Sequence, residues 1–210
     1  MSKTWITILF IIFLLGAAAA ILMLTWIRVR PVGPQQVKQS FTPVAISDFD
    51  PSLGSKDAQI SIVTFSSFTC PACQRNADVL RQVRGLYPDK VRLIWKDLPD
   101  DDTARQLALA ARCAQNQGKF WQYHDRLFTQ QNQVTDWSLV LLQNALDLKL
   151  DQTIFSSCLQ DQQPMDLIET NISQGTVARI TAVPYSEVNG TIRVDGELSL
   201  SEWQAIINKL

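Results

Sequence analysis

The sequence predicts an α/β domain interrupted by an inserted block of helices and preceded by one N-terminal transmembrane helix. Three observations carry this reading. Residues 5–27 form an apolar run without a charged side chain, long enough to cross a bilayer. Residues 60–65 (Ile-Ser-Ile-Val-Thr-Phe) and 91–95 (Val-Arg-Leu-Ile-Trp) read as strands on either side of a helix, an order that implies a parallel pair. Residues from about 101 to 179 are rich in Leu, Ala and Gln with few β-branched runs, and so read as helices.

The elements follow in order. Residues 1–30 are expected to be an uncleaved signal-anchor. Alanines at 17–20 offer a cleavage site, but the apolar run continues past them to Trp26 and Ile27 before Arg28 and Arg30 end it. Trp5 and Trp26 suit the two interfaces. Residues 31–57, with Pro31, Gly33, Pro34, Pro43 and Pro51, read as a linker and N-terminal extension, and 58–210 as the folded domain. The first strand gives way to a helix from Pro71 to about Leu86, with Val79, Leu80, Val83 and Leu86 at helical spacing and Tyr87-Pro88 closing it. Five helices are expected at 103–117, 119–130, 137–146, 152–160 and 166–179, with Gly118 breaking the first two. A strand at 185–188, an Asn189-Gly190 hairpin turn and a strand at 192–194 come next, and an amphipathic helix at 200–210 ends the chain, with Ser199 or Ser201 as cap.

Charge gives the N-terminal segment no clear orientation, because Lys3 lies on one side and Arg28 and Arg30 on the other. The cysteines break the tie. All four lie after residue 31, and disulfides persist in oxidising compartments, so residues 31–210 are expected on the extracytoplasmic side of the cell membrane. That part carries 16 basic against 20 acidic residues, and no basic stripe interleaves with aromatics, which argues against nucleic acid as a partner.

Chemistry concentrates at Cys70-Pro71-Ala72-Cys73. Pro71 fits the first helical turn, where its missing N–H costs nothing. Cys70 then sits at the helix N-terminus, where free N–H groups and the positive dipole end stabilise a thiolate, the nucleophile of disulfide exchange. A zinc site would need a second close pair of ligands, and Cys113 and Cys158 are isolated, so no metal is expected. His124, the single histidine, reads as a helix-packing residue. Two glycosylation-type triplets, at Asn171 and Asn189, receive no function.

At these residues the chain resembles the DsbA-like thioredoxin-fold family. The resemblance rests on Pro51-Ser-Leu-Gly54, Ile62-Val-Thr-Phe65, Ser66-Ser-Phe68, Cys70-Pro-Ala-Cys73, Lys96-Asp-Leu-Pro99, Ala111-Arg-Cys-Ala114, the stretch from Gly118 to Asp125, and Val183-Pro184 followed by Asn189-Gly190. It covers about residues 48–210. It implies a thioredoxin-like fold with a helical insertion, and a membrane-anchored thiol–disulfide oxidoreductase acting on cysteine-containing exported proteins. In that reading Cys70 is the attacking thiolate, Cys73 the resolving thiol and Pro184 a cis-proline facing them, with Val183 presenting backbone to an extended substrate. The resemblance further implies reoxidation by a membrane quinone-linked partner. No bound cofactor is needed, and a monomer is expected.

Disulfide formation is the expected direction. A reductase or isomerase of the same fold, or a non-enzymatic copper-binding module, are the alternatives. Cys113 and Cys158 are expected as a structural disulfide, with two buried free cysteines as the alternative. Two residues depart from the family pattern. Thr64 stands where members commonly carry a buried acid under the resolving thiol, and Glu187 stands in a segment that is normally apolar. Glu187 is therefore a candidate to supply the missing carboxylate, against the alternative that it points to solvent.

Overall fold

The computed structural model describes residues 42–210 except 132 and 135. The expected membrane anchor at 1–30 lies outside the described residues. Among those described, no helix is long and apolar enough to cross a membrane. The described residues form five strands: β1 (Ser52–Leu53), β2 (Ile60–Ser66), β3 (Val91–Asp97), β4 (Tyr185–Val188) and β5 (Ile192–Asp195). They form one sheet in the order β1-β3-β2-β4-β5. β2 and β3 are parallel, as strand–helix–strand order requires, and every other pairing is antiparallel.

Strand alternation divides the sheet into two buried faces. Ile60, Ile62, Val91, Leu93 and Val188 pack on Leu80 and Val83 of α1 (Pro71–Leu86) and on Trp203, Ile206 and Ile207 of the C-terminal helix. Val63, Phe65, Ile94 and Tyr185 lie on the other face with Val44, against Leu98, Ala178 and Ile180. With both faces covered, β2 and β3 must be apolar nearly throughout, as their sequences are.

Between β3 and β4 stand α2 (Asp102–Gln115), α3 (Phe120–Gln130), α4 (Trp137–Asp147), α5 (Gln152–Cys158) and α6 (Gln162–Val177). They enclose a separate core of Leu107, Ala111, Tyr123, Leu127, Phe155 and Ile168. Asp101, Asp136, Asp151 and Asp161 cap four of these helices, each carboxylate accepting a backbone N–H at the helix start. The last helix begins four residues before the expected 166, because Pro164 falls in its first turn, where no N–H is needed. The chain ends in α7 (Leu200–Ile207), capped by Ser199 in a reciprocal pair with Glu202.

Residues 44–57, read from sequence as linker and extension, are part of the sheet layer. β1 pairs with β3, the Val44 N–H donates to Glu187, and Lys96 forms a buried ion pair with Asp50 at 2.7 Å. Gly54 turns this segment at a φ of 116°, and a Cβ there would lie 2.7 Å from the Val91 carbonyl oxygen. Only glycine fits such a position.

Candidate active site

β2 delivers the chain to one end of the sheet, and residues 67–69 turn it into α1. Asp100 fixes this turn by accepting from the hydroxyls of Ser67 (3.2 Å) and Thr69 (3.3 Å). Cys70 follows as the N-cap of α1, in extended conformation, with Pro71 in the first helical turn. Its Sγ accepts from the Cys73 N–H at 3.1 Å, one of the donors that a helix start leaves unpaired. A negative charge on Cys70 is therefore met by a backbone donor and by the helix dipole. Pro71 and Ala72 add no side-chain donor.

Cys70 and Cys73 are paired as a disulfide, with Cα atoms 5.2 Å apart. Cys70 is partly exposed, whereas Cys73 is 1% exposed. An incoming thiolate thus reaches Cys70 first. The Val183–Pro184 peptide bond is cis, and the Val183 carbonyl oxygen lies 3.7 Å from Cys70 Sγ. Sequence-distant Val183 and Pro184 are thereby brought against the Cys70–Cys73 pair. A groove of about 260 Å³ runs past Phe68, Thr69, Gln131, Val134 and Trp137, reaching the residue before Cys70 but not lined by Cys70 itself.

Glu187 is not brought to Cys73. Its register partner on β2 is Val63, whereas Thr64 pairs with Ser186, their hydroxyls 3.3 Å apart. Opposed residues share a face, so Glu187 lies on the face away from α1. The proton-relay expectation for Glu187 is corrected on this ground. The solvent alternative fails too, because Glu187 is 1% exposed, with Oε1 accepting the Val44 N–H at 3.0 Å. Burial raises its pKa above the ordinary carboxylate value, against the lowering effects of that hydrogen bond and of Arg193.

Cys113 of α2 and Cys158 of α5 form a disulfide inside the insertion core, apart from the Cys70–Cys73 pair. The insertion is tied to the sheet by a buried ion pair. Asp97, at the end of β3, accepts from Arg112 at 2.6–2.7 Å and from the Trp95 indole N–H at 2.7 Å. No cluster of three or more His, Cys, Asp or Glu suited to a metal occurs among the described residues.

His124 is a packing residue, as its sequence reading expected, buried at 3% exposure. It packs among aromatic rings, with Trp95 and Phe128 both 4.8 Å away edge-on. It also lines a cavity of about 50 Å³ together with Cys73, Thr64, Ser66 and Asn76. The helix around His124 does not announce this, because most of the lining comes from β2, α1 and β3.

The described fold and site bear comparison with known proteins. The thioredoxin family matches residues 47–209. A Bacillus anthracis protein named "Probable disulfide bond formation protein D" is 28% identical over 152 residues, covering 67% of this chain and 70% of that one. A Salinispora tropica protein named "Na(+)/H(+) antiporter NhaA 3" is 30% identical over 146 residues, 68% of this chain. The matching part is 22% of that antiporter, so the chain spans about a fifth of its length. Among solved structures, alpha-DsbA1 of Wolbachia pipientis superposes with a TM-score of 0.71 at 22% identity, covering 80% of this chain and 92% of that one. Oxidised BdbD of Bacillus subtilis gives 0.70 at 20% identity, covering 80% and 96%. At these identities the two structures establish the fold.

Proposed function

The chain belongs to the thioredoxin family, and from that premise we propose that it is a membrane-anchored thiol–disulfide oxidoreductase that forms disulfides in exported proteins. The observation that carries this reading is the asymmetry of the Cys70–Cys73 pair. One sulfur is partly exposed at a helix N-terminus, and the other is buried beneath it. A substrate thiolate attacks the Cys70 sulfur, the Cys70–Cys73 bond breaks, and Cys73 leaves as the thiolate. A second substrate thiolate then attacks the mixed disulfide at the substrate sulfur, so that the substrate leaves oxidised and Cys70 leaves reduced. Val183, 3.7 Å from Cys70 through its carbonyl, offers backbone against which an extended substrate segment lies.

In this proposal residues 1–30 anchor the domain in the cell membrane, the domain faces the extracytoplasmic side, and a quinone-linked membrane partner reoxidises the pair. The protein works as a monomer and needs no bound cofactor.

Redox poise in this fold runs from about −270 mV in thioredoxin to about −120 mV in DsbA, roughly 7 kcal/mol of relative dithiol stability. The helix terminus alone stabilises the Cys70 thiolate, since Pro71 and Ala72 contribute no donor. The potential is therefore expected between these limits, on the oxidising side of thioredoxin. Equilibration of the pair against glutathione, together with a spectroscopic titration of the Cys70 thiolate, measures it. A value near −270 mV would overturn disulfide formation as the direction. Absence of any exchange at Cys70 would overturn the enzyme.

A further inference from the structure

The cavity beneath Cys73 has space for a few water molecules, at about 50 Å³. Its wall is mostly apolar, but two of the residues lining it carry a polar atom without a partner within the protein: Asn76, through Oδ1 on a side chain 2% exposed, and Trp121, through its indole N–H. One is an acceptor and the other a donor, and each is costly to bury dry. A water bound at either atom satisfies it. The same wall carries Thr64, Ser66, Cys73 and the His124 ring.

His124 is held in a defined state. Its Nδ1 lies 2.9 Å from Asp125 Oδ1. A carboxylate only accepts, so Nδ1 bears the proton and Nε2 keeps a free lone pair. Asp125 in turn receives the Arg81 guanidinium at 2.6 Å and is itself half-exposed. Cys73, His124 and Asp125 all line this cavity, and Asp125 is half-exposed to solvent.

We propose that His124 is a positioning residue for the proton of Cys73, taking it through water in this cavity and returning it through Asp125 to solvent. The proposal rests on the thiol-exchange reading above. When Cys73 resolves a mixed disulfide at Cys70, its S–H proton passes through water to His124 Nε2. The thiolate pair then attacks the Cys70 sulfur. The Cys70–Cys73 bond forms, the bond from Cys70 to the partner sulfur breaks, and the partner leaves as the thiolate with that electron pair. In the opposite direction Cys73 leaves as the thiolate and takes the proton back.

The charged groups facing His124 agree with this. From α1 come Asp78 and Arg81, from its own helix Asp125, while β3 and the turn before Cys70 present only the rings of Trp95 and Phe68. Burial outweighs the pairing with Asp125 and lowers the His124 pKa, so the ring is neutral and able to accept at neutral pH.

His124 is the single histidine of the chain, so one isotope-labelled resonance reports on it in the full-length protein in mild detergent. In the disulfide form the resonance is expected to titrate in one step. In the dithiol form a second step appears at the pH where Cys73 ionises. Superimposable curves in the two redox forms would overturn the proposal. This readout needs no substrate, so it is separate from a failure of the enzyme reading, which would appear as absent exchange at Cys70.

Kinetics supply the second arm. His124→Gln is expected to slow Cys73 attack on a preformed glutathione mixed disulfide at least tenfold near pH 7, with the Cys70 titration unchanged. Adding Thr64→Asp, which sets a carboxylate on the same cavity, is expected to restore the rate. An unchanged pH profile in a folded His124→Gln protein overturns the proposal. If that variant does not fold, the resonance of the unmodified chain decides.

Discussion

Reduction of the Cys113–Cys158 bridge is expected to remove about 4 kcal/mol of stability. The two cysteines are 45 residues apart, and both are buried in the insertion core. On chain-entropy grounds, closing a loop of that length lowers the unfolded-state entropy by about 13 cal/mol/K, or about 4 kcal/mol at 25 °C. A Cys70→Ala/Cys73→Ala background leaves this bridge as the remaining disulfide, since the four cysteines form two pairs. Urea unfolding with and without a phosphine reductant then isolates it without changing the core sequence between the two measurements. The transition is followed by tryptophan fluorescence. The dependence on urea should steepen on reduction, because an uncrosslinked unfolded chain exposes more surface. The thermal midpoint should fall by about 8–16 °C. A loss below about 1.5 kcal/mol with an unchanged urea slope would refute the reasoning. It would mean that packing around the sulfurs, rather than the constraint on the unfolded chain, is what the bridge contributes.

Two further outcomes follow from buried charge. The raised pKa of Glu187 means that the folded state holds its proton more tightly than the unfolded chain. Stability from this group is complete below its ordinary value near 4.5 and is lost as pH rises through the folded value, at up to about 1.4 kcal/mol per pH unit. Glu187→Gln should flatten that fall in a pH series of urea titrations while leaving disulfide exchange within about twofold; a tenfold loss of exchange would return Glu187 to the redox site. Arg112→Met strands the Asp97 carboxylate, 1% exposed, beside Trp95 and should cost about 3–5 kcal/mol in urea unfolding, whereas a cost under 1 kcal/mol would show that Asp97 is neutralised or hydrated without Arg112.

What was legible in the sequence is what local chemistry decides. The apolar run 60–65, Pro71 and the cysteine spacing suffice to place Cys70 at a helix start, since each constrains its own backbone. Asn189-Gly190 likewise sets the β4–β5 hairpin, with both residues at positive φ. β1 was not legible, because two residues carry no alternation to detect; they become a strand only through pairing with β3. Glu187 failed for a related reason. The hairpin turn fixes β4 against β5, but nothing local fixes β4 against β2, and a shift of one residue moves a side chain to the opposite face.

The same distinction divides the site itself. The helix-start cysteine pair is built from consecutive residues, so its placement survives in the sequence. The surroundings of Cys73 are assembled from elements far apart in the chain: Thr64 and Ser66 from β2, Trp95 from β3, Asn76 from α1, His124 and Asp125 from α3. That assembly requires α3, which belongs to the insertion, to be seated on the sheet end. The Arg112–Asp97 pair ties the insertion to β3, and Phe128 of α3 packs on Phe68 at 5.1 Å and Trp95 at 6.1 Å. The helical block is therefore more than a cover over the groove beside Thr69. By carrying His124 to the cavity wall, it gives the resolving cysteine a titratable neighbour that the sheet lacks, because the sheet presents Thr64 and Ser66 there and turns Glu187 away. In the proposed reading the reactivity of Cys70 is set by its helix terminus and that of Cys73 by the docking of α3. A substitution that loosens that docking should slow resolution at Cys73 while leaving the ionisation of Cys70 in place.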